Sequence, residues 1–283
     1  MLLLLGLNSL TYAALLFVMA SGLTLAFGLM RIVNLAHGAN YLLGGYIGLS
    51  VFRWTGNWAL ALVAGGVAIA IAALVTERLL LVWVRGRELP ESLLTLAIAM
   101  IIADLAVAGW GGNPLVIQPP AVLAQRVQIL GITYPGFRLC VLAFGVLVGV
   151  GLWLLLMKTP LGIAVRAGVD DRETTAALGI NIDRIMTVVF MLAGLLAGIA
   201  GVVGGSYWAL APGEDFQALS LSLVTIIIGG LGSLTGAAVG ALITATTLTL
   251  ATAYFPEFSM FFVFAPMALV LAIRPHGLFG RPG

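Results

Sequence analysis

The chain has 283 residues, of which 61% are hydrophobic and only 8% charged; its mean hydropathy is +1.15, and a soluble domain carries about 25% charged residues. So little charge excludes a water-facing globular surface, and a formal net charge of +2 with scattered basic residues excludes a nucleic-acid interface. Residues 1–283 therefore read as a single transmembrane domain. Its runs are apolar on every face rather than alternating, which selects helices over a β-barrel.

The first apolar run lacks the basic region of a cleavable signal and reads as a retained span. Helical spans are predicted near 9–30, 35–52, 57–82, 91–110, 137–157, 187–209, 218–231, 235–253 and 258–273, since about 20 apolar residues cross the hydrocarbon layer. The seventh is short and ends in Gly229, Gly230, Gly232 and Gly236, so it reads as a half-helix or re-entrant segment. The expected fold is thus an all-α polytopic bundle of eight or nine spans. With the N-terminus outside, Arg31, Arg78, Arg85, Arg87, Lys158, Arg166, Arg172, Arg184, Arg274 and Arg281 fall inside, against Arg53, Arg126 and Arg138 outside. Positively charged loops stay in the cytoplasm, so the C-terminus is expected there too.

Polar residues at membrane depth are candidates for a pathway. Asn34, His37 and Asn40 recur every third residue and are expected on one face of the second span, where they either line a route or form a structural hydrogen-bond knot. Gly38, Gly44, Gly45 and Gly48 beside them allow close helix approach. A metal site at His37 is not expected, because the other histidine, His276, lies in the tail. Asp104, alone in the fourth span, faces an aqueous cavity or pairs with a neighbouring helix. Cys140 reads as an inert thiol. Trp54, Trp58, Trp83, Trp110 and Trp208 read as an aromatic belt.

The loop over residues 111–135, with Asn113, Pro114, Pro119, Pro120 and Pro135, suits a rigid outer cap. The inside loop over 158–185 is the most charged stretch. Thr159 as cap, Pro160 at the first position and Gly179 as stop predict one short amphipathic helix there. That helix is suited to a groove on a soluble partner, although a merely solvated loop is the plainer alternative. Around Ser233 and Thr235 the glycine-rich stretch either holds solute by helix dipoles or packs tightly. Glu214 and Asp215 either meet an outer partner or are simply solvated. No GxxxxGK[ST] phosphate loop occurs, so any ATP would have to be used by other subunits.

Four stretches together resemble the membrane permeases of ABC importers for branched-chain amino acids, LivH type. They are GLMRIVNLAHGANYLLGGYIG (Gly28 to Gly48), the inside loop TPLGIAVRAGVDD and AALGINIDR, IIIGGLGSLTGAAVGALI (Ile226 to Ile243) and RPHGLFG (Arg274 to Gly280). The resemblance implies an alternating-access importer with a second homologous permease, two cytoplasmic ATP-binding subunits and an extracytoplasmic solute-binding protein in the inner membrane. It implies no cofactor of the chain's own. It also implies a coupling helix carrying Gly162, Arg166, Ala167, Asp170, Glu173, Ala176, Ala177 and Gly179. Glu173 and Gly179 match the EAA-type spacing, whereas Thr174 and Thr175 replace its alanines. Relatives of this family also carry urea, amides and aromatic acids. An ion-coupled carrier or channel is the competing reading and would need more buried carboxylates than Asp104. A membrane enzyme would need a polar catalytic constellation.

Overall fold

The computed structural model describes residues 1–30, 33–129 and 131–280. Its helices are α1 (Leu2–Met30), α2 (His37–Thr55), α3 (Trp58–Leu79), α4 (Glu88–Trp110) and α5 (Gly136–Lys158). Two short helices, α6 (Pro160–Asp170) and α7 (Arg172–Ala177), then lead into α8 (Ile182–Tyr207), α9 (Glu214–Gly229), α10 (Leu234–Tyr254) and α11 (Ser259–Ile273). Among the described residues, seven helical stretches are long and apolar enough to cross a membrane. A helix lies over each of the nine predicted stretches; α2 and α9 are the two outside that set of seven.

α1 and α8 form the buried centre, whereas α4, α5 and α11 flank it with mostly exposed apolar surface. That distribution suits helices facing lipid, where an apolar side chain loses nothing by exposure. The centre is closed by small residues. Gly194, Gly198, Gly201 and Gly205 line α8 at three- and four-residue spacing. A Cβ on Gly198 would strike the Gly65 carbonyl of α3, one on Gly44 the Gly198 backbone, and one on Gly201 the Tyr41 carbonyl of α2. Backbones therefore touch directly, the arrangement that small residues permit between membrane helices.

Two helices begin inside the bundle. Residues 33–36 are non-helical, with Asn34 and Ala36 buried and Val33 and Leu35 half-buried, and irregular backbone at that depth must be satisfied by protein. Thr95 Oγ1 of α4 accepts the Leu35 N–H at 3.2 Å, and Asn34 Oδ1 accepts the Ala36 N–H at 3.1 Å. His37 then opens α2 with Nε2 2.9 Å from the Met19 carbonyl, about 16 Å along α1 from Met30 at 1.5 Å per residue. α9 has 16 residues, or about 24 Å, too short for a full crossing. Its first turn packs on that of α2, since a Cβ on Gly38 would overlap the Asp215 carbonyl.

α9 stops at Gly230, whose φ of 104° only glycine adopts freely. Its exposed C-terminal carbonyls are taken by the tail: Leu278 N–H donates to Ile228 O at 3.0 Å and Phe279 N–H to Gly229 O at 2.9 Å. The RPHGLFG stretch is thus a cap on a helix end that would otherwise lack partners.

The loop over 111–135 contains an unpredicted hairpin, with β1 (Arg126–Ile129) antiparallel to β2 (Ile132–Pro135) and Val127 opposite Tyr134. Tyr134 is fully buried and its hydroxyl lies 3.0 Å from both Asn8 Oδ1 and Thr11 Oγ1 of α1. Leu115 pairs with Leu210, and Ile117 N–H donates to Gly205 O at 2.9 Å. The loop is therefore stitched over one end of α1 and α8.

Candidate functional site

At the end carrying α6 and α7 the structure corrects the single amphipathic helix expected over the inside loop. Thr159 caps α6 through its hydroxyl, accepting the Gly162 N–H at 3.1 Å. The helix ends at Asp170, and Asp171 adopts extended geometry (φ −151°, ψ 105°) to cap α7. An Asp carboxylate competes for local amides and so favours a cap over a helix interior. Its Oδ1 accepts the Thr174 N–H at 3.0 Å, and Oδ2 accepts the Thr174 hydroxyl at 2.5 Å. These bonds hold the Asp171 carboxyl below the usual carboxylate range. Gly179, at φ 85°, ends the segment after α7.

The break gives α6 and α7 different roles. Gly162 is buried where α6 folds back on the Leu155 and Leu156 carbonyls of α5, and Arg166 reaches the Met157 sulfur at 2.7 Å. Ala167 is half-buried on α6. Asp170, Glu173, Ala176, Ala177 and Gly179 are exposed, with Leu178 at 76% and Ile163 at 57% beside them.

A polar network that the sequence did not disclose ties this end to the bundle. Glu77, fully buried on α3, pairs with Arg85 and accepts the Thr187 hydroxyl of α8 at 2.8 Å. Arg85 donates to Asp183 of α8 at 2.6 Å, and Arg172 of α7 lies 3.8 Å from the same carboxylate. Glu91, buried on α4, accepts the Gly86 N–H at 3.3 Å. The signal available was a carboxylate inside an apolar run, Glu77 in LVTERLLL, within reach of the arginines after it.

The predicted pathway residues scatter. Asn34 lies before α2 rather than on its face, so it does not share a helical stripe with His37 and Asn40; all three are buried. Asp104 is exposed on α4 and forms no hydrogen bond or ion pair among the described residues, so the pairing expected of it within the chain is not made. Ser233 caps α10, accepting the Gly236 N–H at 3.0 Å, and lies 3.2 Å from the Thr235 hydroxyl. Gly229 and Gly236 bring α9 and α10 into backbone contact, while Gly232 abuts Gly28. Gly45 packs on Leu210 and the Gly201 carbonyl. Arg31 and Arg281 lie outside the described residues.

None of the predicted pathway residues lines the cavity found toward the other end of the bundle. That cavity, about 450 Å³, runs along the first half of α1 from Met19 to Asn8, the residue that accepts from Tyr134 of the hairpin, and is in the size range of small-molecule sites. Tyr12, Tyr207 and Trp208 form an aromatic wall, with Tyr12 and Tyr207 stacked at 6.2 Å and Trp208 edge-on to Tyr207 at 5.4 Å. Trp208 is therefore part of a site rather than only of a belt. Trp58 and Trp110 likewise bond inside the protein, to Ser206 at 2.9 Å and Ser50 at 2.8 Å. Arg138 from α5 and Glu214 from α9 bring opposite charges to the cavity. Arg138 is held by Asn8 Oδ1 at 2.7 Å and stands over the Tyr207 ring at 4.9 Å.

A family model described as branched-chain amino acid transport system / permease component matches residues 5–271. The chain belongs to that family. It is a multi-pass membrane protein and a transport permease component rather than an enzyme. It is 27% identical to the high-affinity branched-chain amino acid transport system permease protein LivH of Escherichia coli K12 over 97% of this chain and 94% of the relative. Identity to BraD of Pseudomonas aeruginosa is also 27%, over 97% and 94%. A probable LivH of Methanocaldococcus jannaschii is 28% identical over 96% and 91%. No solved structure matches the chain.

Proposed function

We propose that the chain forms the translocation path of an importer for branched-chain or related amino acids in the cytoplasmic membrane, driven by ATP hydrolysis in docked subunits. The observation that carries this reading is the separation of two features within one permease fold. An exposed α6–α7 element at one end is wired by ions to α3 and α8, and a solute-sized cavity lies toward the other. The distribution of Lys and Arg supports α6 and α7 lying in the cytosol and the hairpin outside. ATP-driven closure of the partners would move α6 and α7, and alternating access would follow from helices repacking around the cavity. A second permease, two ATP-binding subunits and an outer binding protein complete the assembly. The chain needs no cofactor of its own. Against an ion-coupled carrier, the buried carboxylates Glu77 and Glu91 are engaged by groups of the chain at the α6–α7 end, Glu77 by Arg85 and Glu91 by the Gly86 N–H, and neither lines the cavity.

Reconstitution in proteoliposomes tests this. Leucine uptake is expected to require ATP, the ATP-binding subunits and the binding protein, and uptake by this chain alone under an ion gradient would overturn the reading. Ala176→Arg, on the exposed face of α7, is expected to leave insertion intact but to separate ATP hydrolysis from uptake.

A further inference from the structure

Arg138 and Glu214 line the same cavity from different helices, yet no ion pair forms between them. Among the described residues Arg138 has only neutral partners, the Asn8 amide oxygen and the Tyr207 ring, and no side-chain hydrogen bond reaches the Glu214 carboxylate. Charges in a membrane cavity are costly unless something compensates them. Two opposite charges of one protein would ordinarily compensate each other. Instead Asn8 and the Tyr207 ring hold the guanidinium, while Glu214 enters from the first turn of α9. The same cavity is lined by Tyr12, Trp208, Leu15 and Leu221. A solute that satisfies all of this carries one negative group, one positive group and an apolar body.

We infer that this cavity binds the zwitterion of an apolar amino acid, with Arg138 taking the carboxylate, Glu214 the ammonium group, and the aromatic and aliphatic wall the side chain. The inference rests on the transport reading above and deepens it, because it assigns solute recognition within the membrane chain and to two named side chains. A guanidinium offers paired donors suited to a carboxylate, and a carboxylate accepts from an ammonium at two oxygens. Neither group alone would distinguish an amino acid from a simple anion or cation; the pair requires both ends.

The test uses the purified full-length chain in lipid nanodiscs, with radiolabelled leucine displaced by unlabelled leucine, by leucinamide, which lacks the carboxylate, or by N-acetylleucine, which lacks the ammonium charge. Each analogue is expected to compete about tenfold or more weakly than leucine, the loss of one charge-assisted contact. Arg138→Gln should erase the discrimination against leucinamide while keeping that against N-acetylleucine, and Glu214→Gln should do the reverse. Arg138→Lys and Glu214→Asp, which keep the charges, should preserve the wild-type order and show that the fold tolerates change at both positions. Equal competition by all three compounds, no saturable leucine binding at millimolar concentration, or unchanged discrimination in both neutral variants would overturn the inference. If the complete assembly still imports leucine with ATP in that event, only the cavity assignment falls; if it does not, the transport reading falls with it.

Discussion

Where α2, α3 and α8 cross, backbone meets backbone, with Gly44, Gly65, Gly198 and Gly201 leaving no room for a side chain. At the α6–α7 end α3 and α8 are joined by charge, with Glu77, Arg85, Asp183 and Arg172 running in a line from the buried Glu77 of α3 to exposed α7. The crossing has one arrangement, because no side chain can stand in for backbones that touch. The charged line has several, because Arg85 already divides its donors between Glu77 and Asp183. A transporter that rocks needs both kinds of cohesion: a fulcrum that keeps its geometry and a linkage that can exchange partners.

The comparison breaks most directly at Arg85. Its removal strands the Glu77 carboxylate in the interior, where the remaining cation, Arg78, is more than half exposed at 3.7 Å. Arg85→Ala is expected to cost about 3–5 kcal/mol, the usual cost of an orphaned buried charge, read as thermal or denaturant unfolding in detergent. The double variant Arg85→Met, Glu77→Leu should recover most of it. A loss below about 1 kcal/mol, the value of an exposed pair, would show the line to be ornamental.

At the crossing, Gly201→Ala places a methyl group into the Tyr41 carbonyl, and overpacking of this kind costs about 1–3 kcal/mol. The sign is the diagnostic feature. In a helix interior alanine is ordinarily better than glycine by about 0.5–1 kcal/mol, and at Gly6, where nothing lies within 4 Å of the added carbon, Gly6→Ala should be neutral or stabilising. Equal behaviour at the two sites would deny the fulcrum.

The contrast also explains what was readable from the residues. Continuous apolar runs locate α1, α3, α4, α5, α8, α10 and α11, since lipid solvation depends only on local composition. The mid-depth starts of α2 and α9 depend on Thr95 accepting the Leu35 amide and on Gly38 meeting Asp215, contacts between residues far apart in sequence. The cavity was hidden for the same reason, because Arg138 read alone is one more outer-loop charge until α9 brings Glu214 to it. Asp171 is different: an Asp followed by Arg172, Glu173 and Thr174 carries a cap signal of its own, which reading the run as one continuous helix obscured.

Arg172 sharpens the comparison at the exposed end of the line. Its partner Asp183 is 68% exposed and 3.8 Å away, so Arg172→Ala is expected to change stability by less than about 1 kcal/mol. If the linkage transmits motion, the same variant should lower uptake per ATP in the reconstituted assembly. A large stability loss with unchanged coupling would place Arg172 with the structural charges instead.

The smallest effect concerns the Asp171 hinge between α6 and α7. Its carboxyl is held below the usual range by hydrogen bonds from Thr174, the side-chain bond first. A carboxyl whose folded-state pKa is depressed contributes stability that is fully present above the unfolded value of about 3.9 and is lost as pH falls through the lower folded value. Between neutral pH and about pH 5 the cap should therefore hold unchanged, and fraying of α7 should begin only in stronger acid, read as faster amide hydrogen exchange over residues 172–177. Asp171→Asn keeps an acceptor oxygen without the titration, so its exchange should no longer rise in that acid window after correction for the intrinsic pH dependence. Asp171→Ala should exchange fast at every pH. Acid fraying that persisted in the Asn variant would assign the pH response to another group and leave the cap with no part in it.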